Sequence, residues 1–202
     1  MADKKAGPPE TGELKRMLSE LEAESDRGAG LIAVAWVDDA LGHLLRQHFV
    51  DDDAADALLI GDVPLATFSA KIKMAYALGC ISKEMVDDLT LLRKVRNEFA
   101  HDRTDIKFTK PSIKDRCNSI KANDFIPKWG GARYTEPRDQ YVFMSVLIAV
   151  YLMTVTDETK RPGIDKGEGF ELYLKKYAEH TMMQVASQFL DKAEKAIGEG
   201  EK

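Results

Sequence analysis

The chain has 202 residues, 44% hydrophobic and 31% charged, with a formal net charge of −5 and a pI near 5.5. That size and apolar content suit one domain with terminal extensions and suffice for a core, while the acidic balance argues against a surface given over to nucleic acid. Two cysteines, Cys80 and Cys117, make no disulfide framework and point to a reducing, cytoplasmic setting.

Residues 1–12 have no apolar signal core and read as a disordered tail. Leu14, Met17, Leu18 and Leu21 then space out a short amphipathic helix. Ser25 suits the N-cap of a second helix, whose stripe runs through Leu31, Ala35, Asp38, Leu41, Leu45 and His48. Asp51, Asp52 and Asp53 mark a turn or a cap. Pro64 suits the first turn of a third helix, with Phe68, Ile72 and Ala75 inward and Gly79 as its stop. Ser82 caps a fourth, with Glu84 well placed against the helix dipole.

The fourth helix carries Met85, Leu89, Leu92, Arg96 and Phe99 at helical spacing, which predicts that Arg96 sits in the core seam. Beyond His101, residues 102–136 are polar and contain Pro111, Pro127 and a Trp129-Gly130-Gly131 turn; a short helix near Ser112 fits inside. Such a stretch is long for a loop and so is a candidate functional element. The apolar run from Tyr141 to Val155 falls short of the roughly 20 residues of a membrane span and predicts a central helix over about residues 138–156. A glycine-bearing linker, 161–169, leads to an amphipathic C-terminal helix over 170–198 with Leu174, Tyr177, Met182, Ala186 and Phe189. Strand signals are nearly absent. The predicted fold is all-α, a bundle of six to seven helices forming a domain over 13–160 with N- and C-terminal extensions.

Asp38 lies on the apolar stripe of the second helix as Arg96 lies on that of the fourth. A buried charge needs a partner, so an Asp38–Arg96 ion pair is expected, with Asp39 as the alternative acid. The segment from Arg93 to Arg138 holds twelve Lys/Arg against six Asp/Glu, so a basic stretch surrounds Arg96 and His101 on an acidic protein. Imidazole titrates near neutrality and suits proton transfer. No glycine-rich phosphate loop, nucleophile elbow, metal-ligand spacing or helix-turn-helix is present, so no cofactor or metal is expected.

The segment Arg96-Asn97-Glu98-Phe99-Ala100-His101 resembles the arginine, polar residue, histidine signature of the HEPN superfamily of helical domains. Together with the block from Pro64 to Gly79 and Ile81-Ser82, it is similar to the mannitol operon repressor family, usually placed within that superfamily; the resemblance covers roughly residues 25–160. It implies a HEPN-like bundle, a homodimer, and a cytoplasmic negative transcriptional regulator. With no DNA-reading element in the sequence, such a regulator would act through a protein partner, with no direct DNA or membrane contact. The HEPN ribonucleases imply the alternative, metal-independent RNA cleavage. Arg96 would then hold the scissile phosphate, Asn97 would position it, and His101 would act as general acid or base. Five residues place Arg96 and His101 roughly 140° apart on an ideal helix, so a shared cleft requires unwinding or a second chain. A third reading is an adaptor without catalysis.

Overall fold

The computed structural model describes residues 11–49, 53, 57–124 and 134–157. Six α-helices and one 3₁₀ turn make up the described part, with no strand among the described residues: α1 (Thr11–Ala23), α2 (Asp26–Arg46), α3 (Phe68–Ala77), α4 (Lys83–His101), α5 (Pro111–Asn118), the 3₁₀ turn Lys121–Asp124, and α6 (Pro137–Asp157). The fold is thus the all-α bundle that periodicity predicts. The expected C-terminal helix over 170–198 and its linker lie outside the described residues, as does most of the tail and of the Asp51–Asp53 cluster.

Local chemistry sets the helix ends. Ser25 and Ser82 adopt extended backbone and accept from Gly28 N (3.0 Å) and Met85 N (3.2 Å), starting α2 and α4 as expected. Pro64, in contrast, lies in a turn. α3 starts four residues later because Thr67 accepts from Ala70 N at 3.1 Å and takes the cap. Gly79 ends α3 with φ +73°: Cys80 N reaches Ala75 O at 2.8 Å and Gly79 N reaches Tyr76 O at 2.9 Å. That pair of hydrogen bonds is the Schellman motif, and it needs a residue free to adopt positive φ.

The broadest interface joins α2 to α6. α2 buries Ala33, Val34, Val37, Ala40, Leu41, Leu44 and Leu45, while Leu31 is half-buried and Ala35 exposed. The buried face is therefore rotated from the predicted stripe, because α2 packs against α3 and α4 as well as α6. In α6 every residue from Tyr141 to Leu152 is buried, making it the central helix. By length and composition alone, Asp26–Arg46 and Pro137–Val155 are both apolar enough to cross a membrane; the second extends the shorter Tyr141–Val155 run by four residues. In the bundle, 78% of the α6 window is buried against other helices.

The described part of the stretch 102–136 is less of a loop than its composition suggests. It forms α5 and the 3₁₀ turn, and it contributes Ile106, Phe108, Ile113, Cys117, Ile120 and Ala122 to the core. Phe108 stacks against Phe99 (4.7 Å between centroids) and Tyr141 (5.3 Å), tying this segment to α4 and α6. Burial pushes the Cys80 thiol up to about 11 and the Cys117 thiol to about 12, so both act as small apolar side chains rather than nucleophiles.

Candidate functional site

Leu92, Val95 and Phe99 are the buried residues on the last turns of α4, together with Met85, Asp88 and Leu89 nearer its start. Arg96, predicted to be in that seam, is exposed. Val95 takes the seam position because a three-then-four step between Leu92 and Phe99 fits a helix as well as four-then-three, without burying a charge. The buried charge of α4 is Asp88, 3% exposed, which accepts the backbone N–H groups of Lys121 and Ala122 at 2.9 Å each. The carboxylate thereby caps the 3₁₀ turn. Burial pushes its pKa up to about 6, against the opposing pull of those two hydrogen bonds.

Asp38 does not pair with Arg96. Its carboxylate meets Lys71 Nζ of α3 at 2.9 Å. Asp39 faces His43 at 3.5 Å on the surface. Lys71 is 8% exposed, and a Cβ at Gly42 would lie 3.6 Å from its Nζ, so the ammonium is held between α2 and α3. Because Asp38 keeps a third of its side chain in water, the pair is worth less than a fully buried one. An Asp38→Asn/Lys71→Met cycle should show a coupling of about 1 kcal/mol, whereas Asp38→Asn and Arg96→Met should be additive. Coupling confined to the Arg96 cycle in urea unfolding would refute this assignment.

The rest of the Arg96–His101 segment divides by role. Glu98 ties α4 to α5, accepting from Ser112 Oγ and Arg116 and pairing with Lys110 at 3.0 Å. Burial alone would raise its pKa, but those three hydrogen bonds outweigh it and hold the carboxylate below its usual range. At the C-terminus of α4, the Arg27 guanidinium of α2 donates to Phe99 O, to Asp102 O at 2.8 Å and to Thr104 O at 2.7 Å. Phe99 O is among the carbonyls that a helix end leaves unpaired, so Arg27 serves the end of α4 as well as the chain just beyond it. Asp102 in turn accepts from Thr104 Oγ1 (2.6 Å), Thr104 N (2.9 Å) and Lys110 (2.9 Å), which holds its carboxyl well below the usual range.

Arg96 and Asn97 point elsewhere, into an open cleft of about 370 Å³ between α2, α3 and α4. Arg96 donates to Asn97 Oδ1 at 3.2 Å. Val34, Asp38, Thr67, Ser69 and Arg93 complete much of the wall. His101 is exposed at the end of α4 and is not among the residues lining this cleft. The expected trio is therefore divided, with two members in the cleft and the histidine outside it, as the helical angle implies. Arg93, Thr67 and Ser69 were not singled out from the sequence. Arg93 could have been, since it lies three residues before Arg96 on the same helix face.

Comparison with known proteins places this bundle. The family model described as MtlR, mannitol repressor, matches residues 15–150, which takes in α2 to α5 whole and most of α1 and α6. The chain belongs to the mannitol repressor family. The mannitol operon repressors of Escherichia coli K12 and of Escherichia coli O6:H1 are each 35% identical to it over 104 residues, 48% of this chain. The chain spans about half the length of these curated relatives, 53%. A solved X-ray structure of the MtlR–HPr complex from Escherichia coli superposes with a TM-score of 0.49 at 25% identity, covering 73% of this chain and 98% of that one.

Proposed function

We propose that this member of the mannitol repressor family is a cytoplasmic negative regulator of transcription that acts through a protein partner, as a homodimer of HEPN-type bundles, rather than by reading DNA itself. The observation that carries the reading is the family match over residues 15–150. The net charge of −5 and the absence of a helix-turn-helix signature from the sequence support the indirect route. Producing the chain in a cell with a mannitol-operon reporter should lower reporter transcript. The purified chain alone should bind promoter duplex weakly and without sequence preference at physiological salt. HPr, named with the Escherichia coli protein, is the first partner to titrate, and sedimentation velocity reads the oligomeric state. An unchanged transcript level would sink the regulator, and a tight, sequence-specific shift by the purified chain would sink the partner-mediated route.

Arg96 and Asn97, side by side in an open cleft, support a second reading, a metal-independent endoribonuclease with His101 as general acid or base. Because His101 lies outside that cleft, this reading needs the histidine of a second copy. It requires RNA cleavage in EDTA that falls about 100-fold in His101→Ala; the regulator reading expects no cleavage from either protein.

A further inference from the structure

Two sets stand out among the described basic residues from Arg93 to Arg138. Lys110, Arg116, Lys121 and Arg138 are spent on structure, pairing with Glu98, Asp102, Asp87 and Asp26. Arg93 and Arg96 are not. Both line the cleft, and neither has a carboxylate partner among the described residues; the hydrogen bond of Arg96 goes to the neutral Asn97. Two guanidinium groups one turn apart, facing the same cavity, present paired planar forks that suit a tetrahedral oxyanion.

The opposite wall adds to this. α3 begins there, and Thr67, Phe68 and Ser69 all line the cleft. The Thr67 hydroxyl takes the Ala70 N–H, while the first N–H groups of a helix have no intrahelical acceptor and favour an anion. Asp38, which lines the cleft from α2, is neutralised by Lys71 at 2.9 Å. Its carboxylate and the Ser69 hydroxyl can still accept from the hydroxyls of a polar ligand.

We infer that this cleft binds a small phosphomonoester, with Arg93 and Arg96 on the phosphoryl group and Asn97, Ser69 and Asp38 toward its hydroxyl-bearing part. The site is independent of the repressor reading, since binding alone is at issue.

The test is calorimetric titration of the full chain at low ionic strength with glycerol 3-phosphate, inorganic phosphate and glycerol. Glycerol 3-phosphate should bind saturably, one per chain and more tightly than inorganic phosphate, and glycerol should not bind. Arg93→Gln and Arg96→Gln should each weaken binding by about tenfold or more with an unchanged unfolding midpoint, because neither side chain is in the core. Lys94→Gln, exposed on the same helix but outside the cleft, should bind as the parent does. No saturable binding, equal loss in Lys94→Gln, or full binding in both arginine variants would overturn the site. Equal affinity for the two phosphates overturns the ester assignment. Single-stranded RNA that binds through both arginines where glycerol 3-phosphate fails would give the cleft to a nucleic acid instead.

Discussion

Asp88→Ala should destabilise the bundle by about 2–4 kcal/mol at the acid end of the carboxyl's titration, since it leaves two backbone N–H groups without their acceptor. Those groups belong to Lys121 and Ala122, and Ala122 is itself 1% exposed, so water does not readily replace the carboxylate. The cost should depend on pH, with a definite sign. The folded-state pKa of about 6 lies above the ordinary 3.8. What the group contributes is therefore full below pH 3.8 and is lost as pH rises through about 6. The variant should consequently lie closest to the parent at neutral pH and fall furthest behind in mild acid. Arg96→Ala, an exposed change on the same helix, should stay within about 0.5 kcal/mol at either pH. Urea unfolding followed by circular dichroism measures all three proteins. Indistinguishable midpoints for Asp88→Ala and Arg96→Ala in mild acid would show that the carboxyl group does not hold the turn.

The contrast between these two residues shows what sequence can reveal. Helix ends were legible because their causes are local. Ser25, Ser82 and Gly79 act within a few residues of themselves, and each does what its type predicts. Helix faces were less so. On α4, Arg96 and Val95 compete for one seam position at equally good spacing, and only the cost of burying a guanidinium separates them. Asp88 was invisible for another reason: its partners lie 33 and 34 residues away, beyond any periodicity. The same distance effect hid Lys71 from Asp38 and left Arg96 as the apparent partner. Polar composition concealed the packed residues of 102–136, because alternate polar side chains face solvent while Ile106, Phe108 and Ile113 turn inward. Of the candidate site, Arg96 and Asn97 were legible from their motif, but the cleft they face is a product of tertiary packing.

Gly30 and Phe99 form a joint that sequence could not reveal and that should carry the largest single cost. A Cβ on Gly30 would lie 2.4 Å from Phe99 Cδ2 and 2.8 Å from Cε2, far inside contact distance. The ring cannot easily retreat, since Phe108 packs against it at 4.7 Å and is itself backed by Tyr141. Tyr141 also donates to Gly30 O at 2.8 Å, so α2, α4 and α6 meet at this one glycine. Glycine inside a helix ordinarily costs about 1 kcal/mol relative to alanine. Here that cost permits the close approach, and Gly30→Ala should destabilise by about 1–3 kcal/mol despite the better helix former. Phe99→Ala should cost about 3–5 kcal/mol in the parent, where the lost ring leaves a cavity. In the Gly30→Ala background the same replacement should cost distinctly less, because the clash disappears with the ring and the added methyl fills part of the space. The double-mutant cycle in urea therefore has a required sign, with the double variant more stable than the sum of the single losses implies. Strict additivity would mean that the helices do not meet through this pair.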